Sequence, residues 1–188
     1  MPVKLDYQLD LSAYSVWLTV TPTGLTKANI PYIQEAGDFY AFPAYYTRRE
    51  GLNSFLIKYT LSGEGILEYD GRCYAVLPGQ ALWIDCMRPQ YYRPNPSAGH
   101  WHILWIHFHG PSCRQYYKLF EQQNNHSSVV TMPPTFEAAP LLRQILKLYE
   151  RGDSSFSNDV FASSLITSLM TQCMSATMSI SISTVMRD

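Results

Sequence analysis

Turn-forming residues divide the chain between about Ser15 and Gly110 into segments that are too short for ordinary helices. The segments are rich in Tyr, Trp, Val and Ile, which favour strands. Asp70-Gly71 lies between two apolar runs and predicts a tight hairpin, because a type I′ turn needs positive φ at both central residues. Short antiparallel strands predict a small barrel or a two-sheet jelly roll. The predicted strands are Phe55–Leu61, Gly65–Tyr69, Arg72–Leu77, Ala81–Ile84 and Trp101–Phe108.

The spacing of apolar residues becomes helical after Pro111. We predict helices at Ser112–Gln123, at Phe136–Arg151 with Gly152 as C-cap, and from an N-cap at Ser157 to about Met178. Residues 179–188 show no helical period and are interpreted as the start of a linker. The chain is therefore expected to be mainly β, with a barrel and an N-terminal arm over residues 1–110 and helices over 111–188.

The third predicted helix carries an apolar stripe that has two interpretations. The stripe either packs against the barrel or contributes in part to a homodimer interface. The candidate dimerisation residues are Phe161, Leu165, Leu169, Met170 and Cys173.

Composition limits the possible partners of the 188-residue chain. A net charge of −1 and a pI near 6.5 argue against a nucleic-acid-binding surface within it. Four cysteines without C-x-x-C spacing indicate a reducing compartment, and the N-terminus lacks the features of a signal peptide. No apolar stretch approaches the roughly 20 residues of a membrane span. We expect a cytoplasmic protein that does not enter the membrane.

Aromatic residues make up 14% of the chain, and several fall on one face of the last predicted strand. Strand alternation places Trp101, Ile103, Trp105 and His107 on the same side. Gln90 and Tyr92 also share a side and supply hydrogen-bonding groups to the same cavity. Either Arg48 or Arg49 is expected to turn inward as a fork of donors, and the other to remain in solvent. These side chains predict a small-molecule site inside the barrel.

The histidines do not form a metal-ligating pattern. His100 and His102 point to one face of the strand and His107 to the other, so they cannot converge on one ion without ligands from other strands. No nucleophile elbow, Cys–His motif or phosphate-binding loop occurs. We therefore expect neither a metal, a cofactor nor an enzyme activity.

Four motifs follow one another in a fixed order along the barrel segment. They are Leu61-Ser62-Gly63-Glu64-Gly65, Asp70-Gly71, Leu77-Pro78-Gly79-Gln80 and the run from Trp101 through Trp105-Ile106-His107-Phe108 to Gly110. Together they resemble the N-terminal sensor domain of AraC-family transcription regulators over residues 35–125. This resemblance implies a cupin-type β-barrel followed by helices that dimerise.

The resemblance also implies ligand-contacting positions. Arg48, Tyr92 and Trp105 match residues that contact the sugar in the arabinose-responsive member of the family. Ile103 and Gln90 stand where that regulator or its family has histidines, which argues against arabinose itself and against a metal. The expected ligand-binding set is Arg48, Gln90, Tyr92, Ile103, Trp105 and His107, with Trp105 stacking on a sugar ring.

Regulators of this family read DNA through two helix-turn-helix units after the sensor domain, and nothing in this sequence resembles those units. We therefore expect the effector-binding and dimerisation fragment of a longer regulator, which contacts DNA only through a domain outside this chain. Two alternatives remain. One is a cupin enzyme, such as a metal-dependent sugar isomerase or dioxygenase that uses His102 or His107 as a ligand. The other is a sensor whose barrel is filled and serves only for dimerisation.

Overall fold

The structure is a computed structural model that describes residues 2–152 and 155–185. These residues form eleven strands, four α-helices and one 3-10 turn at Pro96–Ala98. The strands are β1 Lys4–Gln8, β2 Val16–Thr19, β3 Tyr32–Ala41, β4 Tyr46–Glu50, β5 Phe55–Gly63, β6 Gly65–Tyr69, β7 Arg72–Val76, β8 Gln80–Asp85, β9 Gln90–Pro94, β10 Trp101–His109 and β11 Val129–Thr131. The helices are α1 Gly24–Asn29, α2 Cys113–Gln123, α3 Ala138–Tyr149 and α4 Phe156–Val185.

Two antiparallel sheets face each other across an apolar interior. In the described part of the chain, one sheet has five strands in the order β1-β4-β9-β6-β7, and the other has six in the order β11-β8-β5-β10-β3-β2. Both run antiparallel throughout. Strands are exchanged between the sheets along the chain, as in a jelly roll. The predicted fold class, mainly β with C-terminal helices, is confirmed.

The central strand β10 separates two apolar clusters. Trp101, Ile103 and Trp105 face the other sheet and belong to the inner cluster. Leu104 and Ile106 point the opposite way, into an outer cluster shared with the helices. Because both faces of β10 are buried, its sequence is a nearly continuous apolar run.

Helices α2, α3 and α4 cover the outer face of the six-stranded sheet. This arrangement corrects the expected role of four candidate dimerisation residues, because their side chains pack in the core of the single chain and are not available to a partner. They are Leu165, Leu169, Met170 and Cys173. Phe161 is 51% exposed and faces solvent. Homodimerisation itself stays a prediction.

The last helix differs from its prediction at both ends. Its first turn is capped by Ser155, whose Oγ accepts a hydrogen bond from the backbone N–H of Asn158 (3.1 Å), rather than by Ser157. The helix continues to Val185 instead of ending near Met178, so most of the segment interpreted as a linker is helical. Residues 186–188 lie outside the described residues. Within the described chain, none of the helices combines the length and apolar character needed to cross a membrane.

Candidate ligand-binding site

A cavity of about 200 Å³ lies between the two sheets. Its walls come from inward-facing residues of β1, β3, β4, β5, β9 and β10 and from Trp17 of β2. Sites for drug-sized ligands usually measure about 300–1,000 Å³, so this cavity suits a small metabolite. Leu5, Tyr7 and Leu9, on or next to β1, line the cavity while each remains about half exposed.

Trp105 forms the aromatic wall. Its ring packs edge-on against Phe39, with the centroids 5.0 Å apart, and against Trp17 at 6.5 Å. Gly37, the residue opposite Trp105 on β3, is required for this position, since a Cβ there would come within 2.5 Å of the indole. The indole therefore presents a buried apolar surface to the cavity, of the kind that stacks on the apolar face of a ring.

Arg49, His107 and Ser54 form a chain of hydrogen bonds beside this wall. An Arg49 Nη1 lies 2.8 Å from His107 Nε2, and His107 Nδ1 lies 3.0 Å from the Ser54 hydroxyl. Because arginine can only donate, Nε2 is the acceptor and Nδ1 carries the proton. Burial, followed by the charges of Arg49 and Lys58, lowers the pKa of His107 well below its usual value. His107 is consequently a neutral imidazole whose two ring nitrogens both have partners.

The structure corrects the position of Arg48. Its side chain is exposed and lies over the Tyr91 ring, with the guanidinium carbon 4.6 Å from the ring centroid. Strand alternation instead turns Thr47 and Arg49 inward, and both line the cavity. The sequence predicts one inward and one outward arginine; in the structure Arg49 is the inward one, whereas the match to the family motif selects Arg48.

Lys58 is a cavity residue that was not predicted from the sequence. It is 2% exposed, and its Nζ donates to the Tyr45 hydroxyl at 3.2 Å. The ammonium lies 4.1 Å from the Tyr92 ring centroid and 5.4 Å from that of Trp105. Burial first, and then the charge of Arg49, lower the pKa of Lys58 well below its usual value. A lysine at an inward position between the apolar residues of β5 is the sequence signal that would have found it.

The other predicted ligand-binding residues divide into two groups. Tyr92, Trp105 and His107 line the cavity, as expected. Gln90 and Ile103 are buried but do not line it. The Gln90 side chain instead accepts from the Cys86 thiol at 3.5 Å, and burial raises the pKa of that thiol to about 12.

A larger groove of about 890 Å³ runs along β1 and β4 to the β6–β7 hairpin, and Arg48 and Gln90 are among its lining residues. Several charged residues along it already have partners: Lys4 pairs with Glu50 at 3.0 Å, and Glu68 pairs with Arg93 at 2.8 Å. The smaller cavity is different, because it combines buried polar groups with aromatic walls. We therefore take the smaller cavity as the candidate site.

Glu35 supplies a carboxylate to the cavity wall. It is partly buried, and burial raises its pKa while the nearby Arg49 charge acts in the opposite direction. Two of the histidines outside the cavity have other partners: His100 stacks on Tyr40, and His102 lies 2.8 Å from the Asp38 carboxylate. Over the described ranges, no cluster of three or more His, Cys, Asp and Glu side chains could hold a metal ion.

Two antiparallel sheets enclose a small cavity, and helices cover one face, so the described residues form a small jelly-roll barrel with an internal pocket. The profile of the family described as "AraC-like ligand binding domain" matches residues 33–170, so the chain belongs to that family. Two relatives are named arabinose operon regulatory protein, from Salmonella typhimurium and Escherichia coli. Each is 26% identical over 74 residues, or 39% of this chain. The match spans about a quarter of the length of these relatives, 26% and 25% respectively.

Solved structures include similar barrels. A Cupin 2 conserved barrel domain protein from Salinispora arenicola is 14% identical, with a TM-score of 0.39 over 59% of this chain and 89% of its own. The Cupin_2 domain of an XRE family transcriptional regulator from Enterobacter cloacae is 19% identical, with a TM-score of 0.39 over 52% of this chain and 97% of its own.

Proposed function

We propose that this chain is the effector-binding and dimerisation part of an AraC-type transcription regulator, and that a small polar metabolite binds in the cavity between the sheets. The cavity itself supports this proposal. It holds about 200 Å³ beside a buried indole, a guanidinium and a carboxylate, contributed by Trp105, Arg49 and Glu35. An aromatic face with a few convergent polar groups is typical of sites for small polyhydroxylated or planar ligands.

Four of the cavity residues contact the ligand in this proposal. Trp105 stacks on the apolar face of the ligand, and Arg49 donates to its oxygens. Tyr92 and Glu35 complete the polar contacts. Gln90 and Ile103 act from behind the wall, where they fix the positions of their neighbours on β9 and β10. A sugar or a sugar-like metabolite fits this combination of contacts.

The proposed output runs through the N-terminal strand. Leu5, Tyr7 and Leu9 line the cavity, so a bound ligand contacts β1 directly. A ligand shifts a conformational equilibrium only by its difference in affinity for the two states. A ligand that contacts β1 would bind more tightly to the arrangement of the N-terminal strand in which this contact is made. DNA binding by a domain outside this chain would respond to that shift.

We propose a binding role rather than a catalytic one, because the reactive groups near the cavity are already occupied. His107 has partners on both ring nitrogens, and the high pKa of Cys86 keeps its sulfur a thiol at neutral pH. Stoichiometric Fe, Mn, Ni or Zn in the purified protein would contradict the proposed non-catalytic role.

The proposed location is the cytoplasm. All four cysteines are free, which supports this location.

A thermal-shift screen against sugars, sugar acids and small metabolites is the first test, since a ligand that binds the folded state raises its melting temperature. Calorimetry with a compound that binds then compares two adjacent variants. Arg49→Ala should weaken binding roughly 10- to 100-fold, the effect of losing charge-assisted hydrogen bonds of about 1.5–3 kcal/mol.

Arg48→Ala is the matched control, because it removes the same side chain from the opposite face of β4. Its affinity for the ligand should equal that of the wild type. A loss of affinity in Arg48→Ala with none in Arg49→Ala would contradict the assignment of the cavity.

A further inference from the structure

Lys58 is a buried amine with few partners at the cavity wall. An amino group can donate up to three hydrogen bonds, and in the described structure Lys58 Nζ makes one, to the hydroxyl of Tyr45. None of the ion pairs found among residues 2–152 and 155–185 involves Lys58 or Arg49. Because a buried amine with unused donors is unfavourable, and an unpaired buried ammonium still more so, such a group requires an explanation.

The charges around the cavity do not balance. Arg49 and a protonated Lys58 contribute two positive charges, and Glu35 is the carboxylate that lines the cavity with them. The excess is one positive charge, which a monoanion would neutralise. A phosphate monoester carries about −1.5 to −2 at pH 7 and would reverse the imbalance. A carboxylate, which also pairs well with a guanidinium fork, fits better.

We propose that the effector is a small monocarboxylic acid, such as a hydroxy acid or sugar acid, and that its carboxylate binds between Lys58 Nζ and the Arg49 guanidinium. This inference rests on the proposed function, because it narrows the class of effector for the same cavity. The remainder of the ligand lies against Trp105. A neutral sugar forms no ion pair with Lys58 or Arg49, so it would bind more weakly than the matching acid.

Binding should be coupled to a proton. Burial and the Arg49 charge favour the neutral amine of Lys58 in the empty cavity. A carboxylate placed against Nζ favours the ammonium, so the complex takes up a proton. The other titratable groups around the amine stay neutral, since burial raises the pKa values of Tyr45, Tyr92 and Cys86 and lowers that of His107.

The direction of the pH effect follows from this coupling. As the pH rises, the proton that the complex needs becomes less available, so the affinity for an acid should fall. Glu35 also titrates near the cavity, and its pKa is raised by burial. Variants at Lys58 separate its contribution to the pH dependence of the affinity from that of Glu35.

The test uses three matched pairs of probes: D-galacturonate with D-galactose, D-gluconate with D-glucitol, and glycolate with ethylene glycol. Thermal shift ranks each acid against its neutral partner. Calorimetry in two buffers of different ionisation enthalpy then counts the protons taken up. We expect the acids to bind at least roughly tenfold more tightly than their partners, with an uptake of up to about one proton per site.

Lys58→Met removes the amine and retains a side chain of similar length. It should abolish the preference for acids and the proton uptake while leaving the melting temperature of the free protein equal or higher, since a buried amine that makes one hydrogen bond is replaced by an apolar group. Lys58→Gln provides a second test if the Met variant does not fold.

The binding data with wild type and the Lys58 variants decide whether the carboxylate binds at Lys58. A preference for acids and a proton uptake that both disappear at Lys58 support the proposal. Neutral probes that bind as tightly as the acids overturn it but leave the proposed function intact. An acid preference that survives in both Lys58 variants also overturns it. Failure of every probe to bind counts against the proposal and the proposed function together.

Discussion

At the scale of single residues, the site depends on side chains whose environment the sequence does not show. Arg48 and Arg49 are chemically identical, and only the alignment of β4 with β9, where Thr47 pairs with Tyr92, decides which one faces the cavity. The aromatic face of β10 was predictable from alternation alone. Lys58 was not predicted: alternation along β5 places it inward, but its burial is exceptional for a lysine and depends on packing across the two sheets.

Gly37→Ala provides a test at this scale. The new Cβ would come within 2.5 Å of the Trp105 indole, so the ring must move or the strands must separate. We expect the free energy of unfolding to fall by about 1–3 kcal/mol, and any ligand that stacks on Trp105 to bind more weakly. Urea denaturation and calorimetry measure the two effects.

Gly24→Ala is the control, since a Cβ at that position meets nothing within 4 Å. Its stability should equal or slightly exceed that of the wild type. Equal stability of Gly37→Ala and the wild type would show that Trp105 does not occupy the position described.

At the scale of elements, local patterns predicted the strands that carry strong turn signals. Strand β6 begins and ends where predicted, because Asp70-Gly71 fixes the hairpin. Six strands, β1 to β4, β9 and β11, were missed. In β3 and β4, charged and polar residues lower the local preference for a strand. Pairing with β10 and β9 stabilises them instead, and that contribution comes from tertiary structure.

A buried carboxylate joins three helices. Asp159 of α4 accepts hydrogen bonds from the Thr26 hydroxyl of α1 at 2.6 Å and from the Tyr149 hydroxyl of α3 at 3.0 Å. Asp159→Asn replaces one acceptor oxygen with a donor, so we expect the free energy of unfolding to fall by about 1–3 kcal/mol. Urea denaturation measures the change.

Glu150→Gln is the matched control for Asp159→Asn, because Glu150 is exposed immediately after α3. Its stability should stay within about 0.5 kcal/mol of the wild type. If Asp159→Asn is equally neutral, the carboxylate does not hold the helices together.

At the scale of the whole molecule, the helices pack on the barrel, and the apolar surface that α4 leaves for a partner is smaller than its whole apolar stripe. Most of the apolar stripe of α4 is buried in the chain, but Phe156, Val160 and Phe161 remain about half exposed on that helix. Sequence periodicity identified the stripe correctly, yet it could not separate residues that pack on the sheet from residues that face outward. We propose that this exposed cluster contributes to a homodimer.

Sedimentation at micromolar concentration tests the dimer. The wild type should sediment as a dimer and Phe161→Glu as a monomer, because a charge in an apolar interface is costly. Leu119→Glu makes the same kind of change at a half-exposed site on α2 and should remain dimeric. Dissociation by Leu119→Glu alone would place the interface on α2.

A crystal structure of the protein with the acid that binds most tightly tests the central claim most directly. We predict electron density for the ligand in the cavity between the sheets, with the ring or chain against Trp105 and the carboxylate between Arg49 and Lys58. Density in the larger groove beside Arg48, with the cavity unoccupied, would contradict the assignment of the cavity as the ligand site.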